Sequence, residues 1–400
     1  MARSINLIVF NENYWDKGLI YTQNLLPLIE YIKHNKNFGV RLVSFTSIFM
    51  LWKNRNKIKA LKNELSTLNI ELINYPILFY PTRLMLVRWI LIPFFYANVF
   101  RHIQKLDKIA RKDWFWIRSY QCALGFSKFF KNKEALVFDP RTDWIIENIN
   151  AGNFNVNSKT VKFWLKQELK IVRDFHKTVF ISDVFKDDII SRHSLNPNPE
   201  KYPILYNPID YSHFKSNEII SSRKDFLYTG SLGRWNKLET YLNFFRRVHD
   251  YFPNANLIIC TNADSHTVEK TTARDDYKSI RNKIILYFNK SNDELPKIYR
   301  TCKYGLQLMS KKDSRLGVKF MEYIASDIIP VVNQNVEGAI KVCRAYNIGC
   351  VINESDCTNK IIETLHSGRS FDEDDPRHQD LRLKSDLGNV HLTIGRILKE

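Results

Sequence analysis

The sequence predicts two α/β domains, each built around a parallel sheet with helices on both faces. The first observation is the length, because 400 residues exceed one ordinary hydrophobic core and favour two domains. The second is the pattern, in which short apolar runs typical of buried strands alternate with helical segments. The third is a stretch rich in Pro and Asn, residues 196–208, which divides the alternation into two series.

The predicted domains are residues 1–200 and 201–375, followed by a C-terminal helical segment, 376–400, that we expect to pack back toward the first domain. Ligands of such sheets bind at the carboxyl ends of the strands, so two facing domains predict a site in an interdomain cleft. The predicted strands of the first domain are 5–10, 40–45, 70–75, 114–117, 135–138 and 178–182. Those of the second domain are 226–229, 257–261, 284–288, 304–308, 328–332 and 350–352.

The charge predicts an anionic partner. Sixty Lys and Arg residues against 42 Asp and Glu give a formal net charge of +18, which suits nucleic acid, an anionic membrane surface or a phosphorylated substrate. No RNA-binding or zinc-finger signature occurs, so we expect no nucleic acid. The six cysteines form no CxxC pair and the histidines no HExxH motif, so we predict no metal site and a reducing, cytoplasmic location.

An apolar tract over residues 84–100 raises the question of a membrane. Arg88, Pro93 and Asn98 interrupt it, and it falls short of the roughly 18–20 clean apolar residues that a spanning helix needs. It therefore predicts a buried helix or, alternatively, a segment lying on a membrane. Basic clusters at 31–63 and 101–133 favour an anionic leaflet as partner, which would place the protein peripherally on the inner face of the cytoplasmic membrane.

Residues 226–237, FLYTGSLGRWNK, predict a strand, a glycine-containing loop and the start of a helix. Gly230 lets the backbone approach an oxyanion, and a helix N-terminus adds partial positive charge. Arg234 and Lys237 follow where they could bind a diphosphate. The spacing is neither a P-loop nor GxGxxG, and the alternative is a tight turn that needs glycine for its geometry alone.

Residues 313–325 predict a helix with Lys319 and Glu322 three positions apart, hence on one face. A carboxylate there can accept two hydrogen bonds from a ribose diol, while a lysine can bind phosphate. The alternative is a surface ion pair on an exposed helix.

Polar residues also follow two predicted strands of the first domain. Arg118 comes after strand 114–117, and Asp139 and Arg141 come after strand 135–138. Side chains at strand ends project toward a ligand site. The alternative is an internal salt bridge between Asp139 and either arginine.

Together these segments resemble glycosyltransferase family four, the group 1 glycosyltransferases, which are retaining enzymes with the two-domain GT-B fold. Residues 226–237 resemble the first loop of that family's C-terminal domain. Residues 316–332, LGVKFMEYIASDIIPVV, resemble its donor-binding helix and following strand. The turn 207–210, NPID, resembles the family's Asn-Gly-x-Asp turn. Position 314 is Ser, where the family usually has the first glutamate of a pair.

The resemblance implies a role for each matching residue. Glu322 would hold the ribose of a UDP- or GDP-linked sugar, and the loop at Gly230 and Ser231 would pack against the diphosphate or the sugar. No divalent metal or other cofactor would be needed. The residues implied to bind the diphosphate are Arg234, Lys237 and Lys319. By the same resemblance, Asp139 and Arg141 would face the acceptor or the sugar. We predict that Gly18, Arg118, Asp139 and Arg141 bind the acceptor and that Arg234, Lys319 and Asp139 take part in catalysis.

The predicted function is transfer of a sugar, with retention, from a nucleoside-diphosphate sugar to a lipid-linked or polysaccharide acceptor such as a capsule or O-antigen glycan. One alternative is a nucleotide-sugar epimerase of the same fold, which would change the donor alone. The other is a non-enzymatic basic binding protein, suggested only by the charge.

Overall fold

The structure, a computed structural model, describes residues 3–16, 18–77, 99–107, 112–215, 223–233 and 236–399. The chain forms two compact units. Unit 1 comprises Met1–Phe180, Ile189–Leu205 and Gly388–Glu400, and unit 2 comprises Ile181–Asp188 and Tyr206–Leu387. The crossing after Leu205 falls near the predicted boundary, and the C-terminal segment that returns to unit 1 begins at Gly388.

Each unit contains a six-stranded parallel sheet, as predicted. In unit 1 the strand order is β3-β2-β1-β4-β5-β6, and in unit 2 it is β12-β11-β10-β7-β8-β9. Counted from its own first strand, each sheet therefore has the order 3-2-1-4-5-6. The direction of winding reverses between β1 and β4 and between β7 and β10, and such switch points are where ligands of doubly wound sheets bind.

The strands are short and mostly buried. Those of unit 1 are β1 Arg3–Phe10, β2 Phe38–Ser47, β3 Glu71–Ile77, β4 Trp114–Arg118, β5 Leu136–Asp139 and β6 Lys177–Thr178. Those of unit 2 are β7 Asp225–Thr229, β8 Leu257–Thr261, β9 Ile284–Phe288, β10 Cys302–Gln307, β11 Ile329–Asn333 and β12 Cys350–Ile352.

Helices cover the sheets. The first eight are α1 Leu26–His34, α2 Ile48–Lys53, α3 Arg55–Thr67, α4 99–107, α5 Tyr120–Phe129, α6 Trp144–Asn150, α7 Lys159–Asp174 and α8 Asp183–Arg192. The remainder are α9 Tyr211–Phe214, α10 Leu238–Val248, α11 Ser265–Thr272, α12 Leu295–Tyr299, α13 Val318–Ala325, α14 Glu337–Tyr346, α15 Thr358–Ser367, α16 Pro376–Ser385 and α17 Val390–Leu398.

Three predicted strands, 257–261, 284–288 and 350–352, match β8, β9 and β12 residue for residue. The predicted strand 178–182 is wrong beyond its first residue: β6 ends at Thr178, and Phe180 makes only an isolated bridge to Ile204. The predicted helical tail is two helices, because Asp386 leaves α16 in an extended conformation and forms a bridge with Ile209.

The apolar tract 84–100 lies outside the described residues except for its last two, which begin α4. Among the helices that the structure describes, none has the length and hydropathy to cross a membrane.

Candidate functional site

A cavity of about 270 Å³ lies at the switch point of unit 1. Its walls are the segments that follow β1, β4 and β5, which a parallel sheet brings to one edge. The lining residues are Phe10, Asn11, Glu12, Arg118, Ser119, Tyr120, Gln121, Pro140, Thr142 and Trp144. Of the predicted site residues, Arg118 alone is in this lining.

The backbone around this unit 1 cavity is strained at three non-glycine residues. Asn11, Ser119 and Arg141 have φ values of 45°, 87° and 55°. Asn tolerates this region, but for Ser119 and Arg141 such a conformation costs on the order of 1–3 kcal/mol. Each residue stands just after a different strand of the sheet. Strain concentrated in this way is typical of a functional site.

Two helices begin at the cavity. Ser119 caps α5 by accepting a hydrogen bond from the Cys122 amide at 3.5 Å, and Asp143 caps α6 by accepting one from the Ile146 amide at 3.2 Å. Helix N-termini carry partial positive charge. The guanidinium of Arg118 adds a full charge, and its Nε donates to Glu12 at 2.8 Å. The cavity therefore offers both a cation and a carboxylate to hydroxyl-rich or anionic ligands.

Asp139 and Arg141 form a fully buried ion pair, with Nε and Oδ1 2.8 Å apart. Asp139 also accepts hydrogen bonds from Trp116 Nε1 and Asn24 Nδ2, both at 2.8 Å. Burial lowers the pKa of Arg141, and the Asp139 carboxylate opposes that shift. The structure therefore contains the internal salt bridge between Asp139 and Arg141, which was the alternative to a ligand-binding role. Neither residue lines the cavity, and their contact with an acceptor stays a prediction.

A π-helical turn, Tyr21–Leu25, leads into α1. π-helical turns frequently occur at functional sites. Here the turn directs Gln23 and Asn24 toward Arg118, which donates to both side chains. Gly18 lies ahead of this turn, exposed and outside the cavity lining, so its role toward the acceptor also stays a prediction.

Behind the cavity, Glu168 fixes the aromatic wall. Its fully buried carboxylate accepts hydrogen bonds from the Tyr120 hydroxyl at 2.7 Å and from Arg192 at 3.0 Å, and His193 lies 2.6 Å away. Burial and the charge of Glu168 raise the pKa of Tyr120 well above its ordinary value, so the hydroxyl remains a donor. The Tyr120 ring stacks against Trp144, the other large aromatic side chain of the lining.

In unit 2, Lys319 and Glu322 form the predicted pair in the first turns of α13. Lys319 Nζ is 2.8 Å from both Glu322 oxygens, and the Tyr299 hydroxyl donates to Oε2 at 2.7 Å. The Glu322 side chain is 6% exposed and that of Lys319 is 30% exposed. The alternative of an exposed helix is wrong, because six of the eight residues of α13 are buried.

The position of α13 depends on a close approach to the sheet. A Cβ atom at Gly305 of β10 would lie 2.4 Å from the Tyr323 ring, so only glycine permits this packing. The Tyr323 hydroxyl accepts a hydrogen bond from the Thr229 amide at 3.0 Å. That bond ties α13, the helix of the ion pair, to Thr229, the last residue of β7, which precedes Gly230 in the chain.

Gly230 begins the loop at the unit 2 switch point with a φ of 154°, and a Cβ atom there would lie 3.0 Å from the Tyr228 hydroxyl. The same hydroxyl donates to the Ser231 carbonyl at 2.8 Å. The backbone conformation at position 230 therefore requires glycine, as expected for a tight turn. This geometric requirement is compatible with phosphate binding by the same loop.

Two lysines influence the end of the neighbouring strand β8. Burial raises the pKa of the Cys260 thiol to about 12, and the charges of Lys319 and Lys290 act in the opposite direction. Lys290, which follows β9, is a cation that the sequence patterns did not single out. Both lysines are also ion-paired, Lys290 with Glu294 at 2.7 Å and Lys319 with Glu322 at 2.8 Å.

The other residues predicted to bind the nucleotide-sugar donor are less closely tied to this site. Lys237 is exposed at the N-cap of α10, and Arg234 lies outside the described residues. Asn207 of the NPID turn donates to the Leu316 carbonyl at 2.6 Å, and Ser182 donates to the Ser314 carbonyl at 2.6 Å. These two side chains hold the segment that leads into α13.

Comparison with known proteins supports the same family as the sequence patterns. Residues 211–377 match the family of glycosyl transferases group 1. HepE of Anabaena, solved with UDP, is similar with a TM-score of 0.66 and 12% identity over 99% of both chains; it has also been solved with UDP-glucose. A glycosyltransferase from Rickettsia africae ESF-5 has a TM-score of 0.60 and 14% identity over 99% of this chain and 93% of its own.

Sucrose-phosphate synthase from Thermosynechococcus elongatus is also similar, with a TM-score of 0.65 and 11% identity over 99% of this chain and 98% of its own. No curated protein sequence matches the chain. The two six-stranded parallel sheets and these structural similarities define the GT-B fold. The match to the glycosyl transferases group 1 falls within unit 2, in agreement with the sequence patterns.

We expect Asp139→Asn to destabilise the protein by about 3–5 kcal/mol, because it leaves the Arg141 charge buried without its counterion. Urea denaturation measures the loss. Glu71→Gln is the matched control in the same unit: it breaks the Arg41–Glu71 pair, whose glutamate is 63% exposed, and should cost about 0–1 kcal/mol. Equal losses in the two variants would contradict a structural role for the buried pair.

Proposed function

We propose that the protein transfers a sugar from a UDP-linked donor to a lipid-linked or polysaccharide acceptor. The observation that carries this proposal is the buried Glu322 carboxylate, which Lys319 and Tyr299 bind within the segment that matches the glycosyl transferases group 1. The choice of UDP over GDP is supported by HepE, a protein of the same fold solved with UDP and with UDP-glucose.

The ion pair suits the binding of a nucleoside diphosphate. A carboxylate has about four acceptor positions, and Lys319 and Tyr299 together occupy three of those on Glu322. If Lys319 turns to a phosphate, Glu322 regains acceptors for the ribose hydroxyls while Tyr299 keeps it in place. Burial raises the pKa of Tyr299, so its hydroxyl stays a donor throughout.

Cations near the diphosphate would also promote the reaction. Breaking the bond between the sugar and the diphosphate builds negative charge on the leaving group, and fixed positive groups stabilise that charge. Lys319 is the described residue best placed for this, and we assign Arg234 and Lys237 the same task. We further propose that transfer proceeds with retention and without a divalent metal, as the family resemblance implies.

We assign the acceptor to the unit 1 cavity. Arg118 and Glu12 supply a cation and a carboxylate to sugar hydroxyls, and the Tyr120 and Trp144 rings form an aromatic wall. Asp139 acts here as a positioning residue, since it orients Asn24 and Arg141 from within the core. A cytoplasmic location accords with the six cysteines, none of which forms a disulfide.

We expect Glu322→Gln to weaken UDP binding about 10–150-fold, because a hydrogen bond to a charged group contributes about 1.5–3 kcal/mol. Isothermal titration with UDP measures this loss. Lys319→Gln should lower kcat about 100–1000-fold, measured as UDP release from the donor that a panel of UDP- and GDP-sugars identifies.

Glu363→Gln and Lys360→Gln, both at exposed positions of α15, are the matched controls and should change neither quantity. Unaltered UDP affinity in Glu322→Gln would refute the proposed donor site.

We expect EDTA to leave the rate unchanged within about two-fold, because the charge of the leaving group is met by side chains rather than by a metal ion. Proton NMR of the product should show the anomeric configuration of the donor. Restoration of lost activity by added Mg²⁺ would contradict metal independence, and an altered donor sugar in the absence of acceptor would indicate an epimerase instead.

We expect Arg118→Gln to raise the KM for the acceptor about ten-fold and to leave the KM for the donor unchanged, because one charge-assisted hydrogen bond is lost from unit 1 alone. Steady-state kinetics with the acceptor found in a panel of lipid-linked oligosaccharides and glycans measures both. Arg173→Gln, at an exposed position of α7, is the control. A rise in donor KM only would place Arg118 on the donor side.

A further inference from the structure

Helix α2 exposes a dense group of large apolar side chains. Ile48, Phe49 and Trp52 are 57%, 64% and 65% exposed, and α2 has no buried residue. Among the other exposed large apolar residues that the structure describes, no two lie within four positions of each other in the sequence. Side chains of this size gain about 1.5–3 kcal/mol each on burial, so leaving three of them in water is unfavourable unless they meet a partner.

The arrangement is ordered rather than frayed. Ser47 caps α2 by accepting a hydrogen bond from the Met50 amide at 3.3 Å, and Asn54 ends the helix with its side chain on the Met50 carbonyl at 3.0 Å. The next helix, α3, is anchored by the buried residues Ile58, Leu61 and Leu65. The exposed face is therefore a fixed feature of unit 1.

Cations surround these apolar residues. Five lysines and arginines between positions 48 and 63 are exposed, and the same stretch contains no acidic residue. Within the described ranges, only one of the five, Lys57, forms an ion pair, with Asp16 at 2.9 Å. The Arg55 guanidinium lies 5.7 Å from the Trp52 ring centroid. The five are Lys53, Arg55, Lys57, Lys59 and Lys62.

This basic aromatic surface, Ile48–Lys62, adjoins the unit 1 cavity. Since β1 and β2 are parallel neighbours, α2 begins at the same edge of the sheet as the cavity. The Ser47 amide donates to Asn11 Oδ1 at 3.2 Å, and Asn11 lines the cavity. The helix cap and the cavity wall are thus directly bonded.

We propose that the basic aromatic surface binds an anionic lipid bilayer. Trp and Phe side chains insert at the level of the headgroups, and each nearby Lys or Arg adds attraction to anionic lipid. Charge complementarity selects this occupant, because five cations, of which only Lys57 forms an ion pair among the described residues, repel another copy of the same surface. Resting on the proposed function, this contact would bring lipid-linked acceptors to the mouth of the cavity.

Flotation of the full chain with lipid vesicles tests the proposal. The wild type should float with vesicles of phosphatidylcholine and phosphatidylglycerol, remain behind with phosphatidylcholine alone, and dissociate at high salt. Both Phe49→Ser/Trp52→Ser and Lys59→Glu/Lys62→Glu should reduce binding at least ten-fold. All four positions are exposed, so thermal unfolding should be unchanged.

Matched controls come from the same unit. Val156→Ser/Phe163→Ser removes two other exposed apolar side chains, and Lys162→Glu/Lys166→Glu reverses two exposed charges on α7. These controls should bind vesicles like the wild type. Equal loss in controls and test variants, or equal wild-type binding to neutral and anionic vesicles, would overturn the proposal.

Two further measurements separate the possible failures. If light scattering shows a wild-type dimer that Phe49→Ser/Trp52→Ser dissociates, the surface is a contact between copies and the proposal falls. UDP titration of the same variants requires no membrane and should match the wild type. Loss of vesicle binding with intact UDP binding would therefore show that the substitutions affect the membrane-binding surface and not the donor site. Absence of UDP binding by the wild type would refute the proposed donor but not the membrane-binding surface.

Discussion

The parallel arrangement of the strands is the constraint on which the rest of the structure depends. All strands of one sheet end at the same edge, so side chains far apart in the sequence meet there. In unit 1 this edge collects the segments after β1, β4 and β5, and in unit 2 it collects the glycine loop after β7 and the start of α13. Both units have the same 3-2-1-4-5-6 order, and both place their polar residues where that order reverses.

Buried carboxylates then fix these edges. Asp139, Glu168 and Glu322 are all buried, and each accepts hydrogen bonds from one aromatic side chain and pairs with one cation. An isolated buried charge is costly, but a carboxylate with several donors holds every partner in one orientation. The aromatic partners are Trp116, Tyr120 and Tyr299, and the cations are Arg141, Arg192 and Lys319.

The three pairs differ in how far the cation can leave its carboxylate. The Arg141 side chain is 3% exposed, so its pairing with Asp139 is a permanent part of the core. Lys319 is 30% exposed although Glu322 is almost wholly buried. Arg192 is 20% exposed beside the fully buried Glu168. The lysine is thus the most exposed of the three cations, and in our proposal it exchanges its carboxylate for a ligand while the glutamate remains in place. The same chemical motif serves structure in one unit and, in our proposal, binding in the other.

The sequence patterns correctly predicted features that depend on residues close together in the chain. The i, i+3 spacing of Lys319 and Glu322 predicted their pairing, and apolar runs bounded by polar residues predicted β8, β9 and β12. The burial of Glu322 was not predictable, because it depends on Tyr299 and on the close contact between Gly305 and Tyr323.

Long-range partners left no trace in the sequence pattern. Glu168 lies 48 positions from Tyr120, and Asn24 lies 115 positions from Asp139, so no periodicity links either pair. Two further features involve distant partners in the same way: beyond β6, Phe180 forms a bridge with Ile204, and after α16, Asp386 forms a bridge with Ile209.

The edge of unit 1 also shows how binding surfaces can be adjacent without sharing residues. The cavity is enclosed by polar groups and aromatic rings whose hydrogen bonds are largely satisfied within the protein. The neighbouring basic aromatic surface has the opposite character, with apolar side chains in water and with cations of which, among the described residues, only Lys57 forms an ion pair. A ligand with a sugar at one end and a lipid at the other has the same two characters, polar at the sugar and apolar at the lipid. The bond between Ser47 and Asn11 keeps the two surfaces at a fixed separation, which a freely moving loop would not do.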